Sequence, residues 1–177
     1  MKKLLVVVDY QNDFVDGSLG FEEAKQLEQP IFEKIQQYKK EKQDIVFTMD
    51  THDENYMQTN EGKHLPIAHC IKNTKGWELY GKIKEVYEKR FPIFLKSTFA
   101  SYELGTFLNG KQYEEIELVG VVSNICVISN AVIAKAALPN AQIIVDTKYT
   151  ASPDKNLNEA AFLVMEGFHV QIKNKNK

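Results

Sequence analysis

The chain has 177 residues, enough for one domain (1–177) with a sizeable core. Its net charge of −2 gives no general attraction to nucleic acid, and no apolar run is long enough to span a membrane. Two cysteines are too few for a disulfide framework and favour a reducing compartment. We therefore expect a cytoplasmic protein with neither a nucleic-acid partner nor a membrane partner.

Short apolar runs rich in β-branched residues recur along the chain. Because they are apolar on both faces, they are typical of buried strands in a parallel sheet. They predict six strands, at Leu4–Val8, Asp44–Met49, Ile93–Leu95, Ile116–Val122, Gln142–Val145 and Phe168–Ile172.

Helical patterns fill most of the gaps between these strands, at Pro30–Lys42, Trp77–Glu88, Ser123–Leu138 and Asp154–Glu166. This alternation predicts an α/β fold: a three-layer α/β/α, Rossmann-like domain with a mostly parallel six-stranded sheet. The segment from Asp50 to Lys75 breaks the pattern, since it is polar and has little periodicity. A loop of that length in a compact domain is usually functional or disordered.

Ionisable or nucleophilic side chains follow four of the predicted strands, namely Asp9, Asp50 with His52, Lys96, and Cys126. Ligands of open α/β sheets bind beyond the carboxyl ends of the strands, so these side chains are expected at one edge. Cys126 also begins a predicted helix, where the helix dipole favours a thiolate. The sequence therefore predicts a nucleophilic cysteine at this edge, with Asp9 as a general base.

Each of these residues also has a purely structural interpretation. A buried cysteine often packs as a small hydrophobe, an aspartate often caps a turn, and a lysine is usually solvated. The convergence of Asp9, Lys96 and Cys126 on one edge favours catalysis over three separate structural roles. Lys96 would then stabilise both the carboxylate and the thiolate.

Ligand-type side chains are concentrated in the loop that follows the second strand. Asp50 and His52 lie on the same side of an extended segment, His69 lies further along, and Glu61 and His64 lie between them. Histidine with carboxylate suits Zn²⁺ or a similar divalent ion. Loop residues in water are the alternative, and His64 and Cys70 are the weaker ligand candidates.

The motifs together resemble the isochorismatase-like cysteine hydrolases, most closely the nicotinamidase/pyrazinamidase group. The resemblance covers nearly the whole chain in order and spacing. It rests on Asp9-Tyr10-Gln11-Asn12-Asp13-Phe14, Asp50-Thr51-His52, Pro66 to Cys70, Lys96, and Gly120-Val121-Val122-Ser123-Asn124-Ile125-Cys126-Val127.

The resemblance implies roles for individual residues. The implied catalytic triad is Asp9, Lys96 and Cys126. The implied oxyanion hole consists of the backbone N–H groups of Val122 and Cys126, with a cis peptide bond between Val121 and Val122. The implied metal is divalent, either zinc or, as alternatives, manganese or iron, and its implied ligands are Asp50, His52, Glu61 and His69. The implied substrate pocket contains Phe14 and Leu65.

Two departures from the group concern the substrate pocket. Leu65 stands where the group often has a tryptophan that stacks on the pyridine ring, and the spacing from Pro66 to His69 is one residue longer. Trp77 is a candidate substitute for that ring, although anchoring its own predicted helix is the simpler role.

The activity implied by the resemblance is deamidation of nicotinamide to nicotinate and ammonia through a cysteine thioester, in NAD salvage. One alternative is another amidase of the family, acting on a carbamoyl, ureido or other small amide. A second alternative is a non-catalytic, metal-stabilised binding module. A small-molecule amide is the expected partner, and a homo-oligomer is an expectation from the family alone.

Overall fold

Six parallel strands form the central layer of the protein, in the order β3-β2-β1-β4-β5-β6. In the computed structural model, which describes residues 2–175, every neighbouring pair of strands runs parallel. Their bounds are β1 Lys3–Val8, β2 Asp44–Asp50, β3 Ile93–Lys96, β4 Glu115–Val121, β5 Gln142–Ala151 and β6 Gln171–Lys173. The predicted α/β fold is thus confirmed, and each of the six predicted strands has a counterpart. The last strand begins at Gln171 and not at Phe168, because the N–H groups of Phe168 and His169 still donate to carbonyls of the preceding helix.

Helices cover both faces of the sheet and build one hydrophobic core on each. Apolar side chains of α6, α7 and α8 pack on one face, and those of α3 and α5 pack on the other. The bounds are α1 Asn12–Val15, α2 Glu22–Gln26, α3 Glu28–Lys40, α4 Asn60–His64, α5 Gly81–Val86, α6 Tyr102–Leu108, α7 Ile128–Ala137 and α8 Lys155–Gly167. No helix within residues 2–175 has both the length and the apolar character needed to cross a membrane.

The helix predicted at Trp77–Glu88 is wrong at its beginning, because the structure has a helix only at Gly81–Val86. The preceding residues pair with the chain that follows β1 instead of continuing the helix. Leu79 forms an antiparallel bridge with Gln11, and the Tyr80 N–H donates to the Tyr10 carbonyl at 3.0 Å. This pairing joins the end of β1 to the long loop.

The long loop after β2 contains two short helical turns that the sequence pattern did not predict. A 3-10 turn spans Tyr56–Gln58 and is followed by α4. The Thr59 hydroxyl caps α4 by accepting a hydrogen bond from the Gly62 N–H. The loop is therefore folded, and its turns bring Glu61 towards the sheet edge.

Strands β1 and β4 approach so closely at Gly120 that the position has no room for a side chain. Gly120 has a φ of 112° and is paired with Val8. A Cβ atom there would lie 2.0 Å from the Val8 carbonyl oxygen. This close approach places the end of β4 directly beside Asp9.

We expect Gly120→Ala to lower the free energy of unfolding by about 3 kcal/mol, since it adds both a backbone clash and an unfavourable φ. Gly167→Ala is the matched control, because nothing lies within 4 Å of its Cβ position. That control should change stability by less than about 1 kcal/mol. Urea denaturation measures both variants, and similar effects of the two substitutions would contradict the argument.

Candidate active site

The structure brings Asp9, Lys96 and Cys126 together around the Lys96 ammonium group. Asp9 follows β1, Lys96 ends β3, and Cys126 lies in a π-helical turn, Ser123–Val127, after β4. Lys96 Nζ is 2.6 Å from Asp9 Oδ2 and 3.6 Å from Cys126 Sγ. Three residues from three strands therefore meet at the sheet edge that the sequence predicted.

The carboxyl group of Asp9 is fully buried, and its backbone has a φ of 48°. The Thr48 hydroxyl donates to Asp9 Oδ1 at 2.7 Å, and the Asp9 N–H donates to the Thr48 carbonyl at 3.1 Å. Burial raises the pKa of Asp9 above its ordinary value, while the Lys96 charge opposes that rise. The result is a carboxylate more basic than an exposed one.

Lys96 remains charged although its side chain is almost completely buried. Burial by itself lowers the pKa of Lys96, but the Asp9 carboxylate raises it, and the net pKa lies above the ordinary value. Lys96 Nζ also donates to the Thr98 carbonyl at 3.0 Å and lies 3.3 Å from Asp50 Oδ1. The ammonium group therefore has partners on all sides.

The thiol of Cys126 is buried, and burial raises its pKa well above the ordinary value, while Lys96 acts in the opposite direction. A thiol in such surroundings needs a nearby base to become a nucleophile. The N–H groups of Ile125 and Val127 both donate to the Val122 carbonyl, at 3.2 and 3.1 Å. The peptide bond between Val121 and Val122 is cis, as expected.

All four predicted metal ligands lie together beside this group. One nitrogen or oxygen from each of Asp50, His52, Glu61 and His69 lies within 4.8 Å of the others. His52 Nε2 and His69 Nε2 are 3.0 and 3.3 Å from Asp50 Oδ2, and each is 3.7 Å from Glu61 Oε1. Two imidazoles and two carboxylates in this space suit Zn²⁺ or another divalent ion.

The hydrogen bond of His69 and the charge of Glu61 also suit a bound cation. His69 Nδ1 must donate to the Ile67 carbonyl, 2.8 Å away, so Nε2 is the nitrogen available to a cation. Burial raises the pKa of Glu61, and the nearby Asp50 charge raises it further. A divalent cation would relieve this repulsion. His64 lies outside the cluster, since its exposed ring binds the Asn60 carbonyl.

Gln11 is a further supporting residue that the sequence reasoning did not single out. Its fully buried amide accepts from the Asp50 N–H at 2.8 Å and donates to the Asp50 and Trp77 carbonyls at 2.9 and 2.8 Å. The Trp77 ring in turn donates to the Thr51 hydroxyl at 2.9 Å. Trp77 thus anchors the loop and is not among the described residues that line the cavity.

A cavity of about 280 Å³ is lined by Cys126 and by three of the candidate metal ligands, Asp50, Glu61 and His69. Both predicted pocket residues, Phe14 and Leu65, line it. Other lining residues were not predicted from the sequence, including Phe99, Asn124, Ile125 and Leu157. Phe99 could have been predicted to lie at this edge, since it comes three residues after Lys96, the last residue of β3. No comparable sequence signal marks Leu157, which lies on α8.

The described chain matches a known protein family over almost its full length. The sequence profile of the Isochorismatase domain covers residues 3–174. The chain belongs to the isochorismatase family. It is therefore an isochorismatase-family hydrolase, and the resemblance noted from its motifs is confirmed.

Relatives within the isochorismatase family agree with this assignment. The chain is 34% identical over 143 residues to the isochorismatase family protein PncA of Bacillus subtilis, covering 75% of this chain and 78% of that protein. The crystal structure of nicotinamidase/pyrazinamidase PncA from Bacillus subtilis superposes with a TM-score of 0.87 at 28% identity, covering 98% and 100%. Pyrazinamidase of Pyrococcus horikoshii, in complex with zinc, has a TM-score of 0.84 at 24% identity, covering 97% and 98%.

We expect His69→Ala to weaken Zn²⁺ binding by at least about 100-fold, because loss of even a hydrogen-bond partner of a metal ligand costs about 10- to 100-fold. The matched control is His64→Ala, which removes an exposed histidine of the same loop. Competition with a chromophoric chelator measures both affinities. Equal loss in the two variants, or none in either, would exclude the cluster as the metal site.

Proposed function

We propose that this chain is an amidohydrolase that converts nicotinamide to nicotinate and ammonia through a cysteine thioester. The observation that carries the proposal is the buried Lys96 ammonium group, which contacts both the Asp9 carboxylate and the Cys126 thiol where the cavity opens. In a cell the reaction would return nicotinamide to NAD synthesis, in the cytoplasm.

The chemistry follows from the three groups. Asp9 takes the proton of the Cys126 thiol, and Lys96 stabilises the thiolate as it attacks the carboxamide carbon. The C–N bond then breaks, and the proton held by Asp9 passes to the nitrogen, so that ammonia leaves. Water, deprotonated by Asp9, hydrolyses the thioester, which releases the carboxylate product and restores the thiol.

The oxyanion of each tetrahedral intermediate needs donors close to the reacting carbon. The N–H groups of Ile125 and Val127 are already engaged with the Val122 carbonyl. We assign this role to the backbone N–H groups of Val122 and Cys126, because both residues line the cavity. One such donor contributes roughly 3–4 kcal/mol in other enzymes.

The donor set of Asp50, His52, Glu61 and His69 would hold a divalent ion, and zinc suits its two nitrogens and two oxygens. When bound, the ion supplies a Lewis-acid site in the cavity wall. The zinc complex of the Pyrococcus horikoshii pyrazinamidase supports this choice of metal. The chain's own part is to hold the ligands in place, through Gln11 on Asp50 and the Ile67 carbonyl on His69.

The lining of the cavity favours a neutral aromatic amide over a carbamoyl or ureido acid. Outside the proposed metal ligands, the described lining residues include no lysine or arginine to bind a carboxylate, and Asp154 adds a negative charge. Most other lining side chains are apolar. An aromatic ring has more apolar surface to bury against these side chains than a carbamoyl or ureido acid has.

The direct test is ammonia release from nicotinamide by Cys126→Ala. We expect its rate to fall by at least about 10⁴-fold, because no other group can form the thioester. Cys70→Ala is the matched control, since Cys70 is the second buried cysteine and has no role in the scheme. Substantial turnover by Cys126→Ala would overturn the mechanism.

A substrate panel separates the remaining alternatives. Release of ammonia from an N-carbamoyl amino acid but not from nicotinamide would favour the other amidases of the family. Release from neither, together with retained zinc binding, would favour a binding module. Each assay is repeated after treatment with a chelator, and loss of nicotinamide turnover on chelation is expected.

The fall of kcat/KM at low pH, the acid limb of the pH profile, should report the pKa of Asp9, because Asp9 must be ionised to accept the thiol proton. Its pKa is already raised by burial, and the Thr48 hydroxyl counteracts that rise. In Thr48→Val the ionised form loses a donor, so the pKa of Asp9 rises and the acid limb moves to higher pH. Thr147→Val, in which the lost hydroxyl bonds the Asn174 carbonyl, should keep the wild-type profile. An unmoved limb in Thr48→Val would exclude Asp9 as the base.

A further inference from the structure

Asn130 is a fully buried residue of α7 whose side chain joins two walls of the cavity. Its Nδ2 donates to the Cys126 carbonyl at 2.8 Å and to the Phe99 carbonyl at 3.2 Å. Its Oδ1 accepts from the Ser101 N–H at 3.0 Å. One amide group thus connects the nucleophile turn to the segment 97–101, which follows Lys96.

The segment 97–101 has neither helical nor strand structure, so its shape depends on side-chain contacts. Lys96 Nζ donates to the Thr98 carbonyl, and Asn130 binds the next residue, Phe99, and Ser101. Ser101 then caps α6 by accepting a hydrogen bond from the Leu104 N–H. Asn130 therefore determines where this segment passes from the lysine into the helix.

Phe99 is the residue of this segment that lines the cavity together with Phe14 and Leu65. Its side chain remains 44% exposed, so packing against the core does not hold it firmly. Phe14, by contrast, lies against the His69 ring at 5.5 Å between centroids. Because position 65 is a leucine and supplies no ring, Phe99 is the second phenyl ring in the described lining of the cavity. The position of Phe99 depends on a backbone that Asn130 holds.

We propose that Asn130 is a positioning residue that determines substrate affinity by holding Phe99 as an aromatic wall of the cavity. The inference rests on the proposed hydrolysis of nicotinamide and concerns the ring of the substrate. Asn130 itself does not touch the substrate. It acts through the Phe99 carbonyl and the Ser101 N–H.

Asn130→Thr is the informative variant. A helical threonine hydroxyl can donate to the carbonyl four residues earlier, here Cys126, but it cannot also bridge Phe99 and Ser101. We expect KM for nicotinamide to rise by about tenfold while kcat stays within about threefold of wild type. Alkylation of Cys126 by iodoacetamide should proceed at close to the wild-type rate, because the nucleophile turn keeps its hydrogen bond. Asn140→Thr, in the exposed turn before β5, is the matched control and should leave both constants unchanged.

A double-mutant cycle with Phe99→Ala tests whether Asn130 acts through Phe99. Phe99→Ala should raise KM by a similar factor, and Asn130→Thr should add less than about twofold to it. Independent, multiplying effects would overturn the inference, and so would a wild-type KM in Asn130→Thr. If Asn130→Thr does not fold, as judged by its thermal unfolding, Asn130→Ser takes its place in the cycle.

The two proposals fail in different ways. A wild-type protein that does not hydrolyse nicotinamide would refute the proposed function. An active wild-type protein whose Asn130→Thr variant keeps its KM, or loses kcat and alkylation rate together, would refute the role of Asn130 alone.

Discussion

The site depends on one buried ammonium group. Lys96 extends from β3 past β2 to reach Asp9 after β1, and it contacts Asp50 on the way. A buried charge without partners would be very costly, so the two carboxylates, the Thr98 carbonyl and the Cys126 thiol are held around it. The ends of four strands, β1 to β4, therefore meet around this single charge.

Asp50 connects the group formed by Asp9, Lys96 and Cys126 to the other candidate metal ligands. One of its oxygens faces Lys96, and the other faces His52 and His69. A candidate ligand of a cation is therefore also a partner of the lysine that contacts the thiol. Two buried amides support these connected groups from either side, since Gln11 binds the backbone of Asp50 and Asn130 binds the backbone of Cys126. Both amides act near the ends of strands, where the chain leaves the sheet.

Much of the fold and of the candidate site could be predicted because both follow from strand position. The buried strands are continuous apolar runs, and the residues just after them, such as Asp9 and Cys126, must lie at one edge. The helix predicted from Trp77 was wrong because residues 77–80 have partners far away in the sequence, at Tyr10 and Gln11. The roles of Phe99 and Asn130 were missed for the same reason, since their contacts join segments about thirty residues apart.

The sequence by itself determined the α/β fold class, the order of its elements, the reactive groups at the strand ends and the ligand types of the long loop. These features are local, because they depend on hydrophobic periodicity and on which residue follows a strand. Only the tertiary structure decided that β1 and β4 are neighbours, that Lys96 reaches Asp9, and that Phe99 rather than Trp77 lines the cavity. Those outcomes depend on the packing of distant segments and on the need of buried charges and amides for partners, which no local pattern encodes.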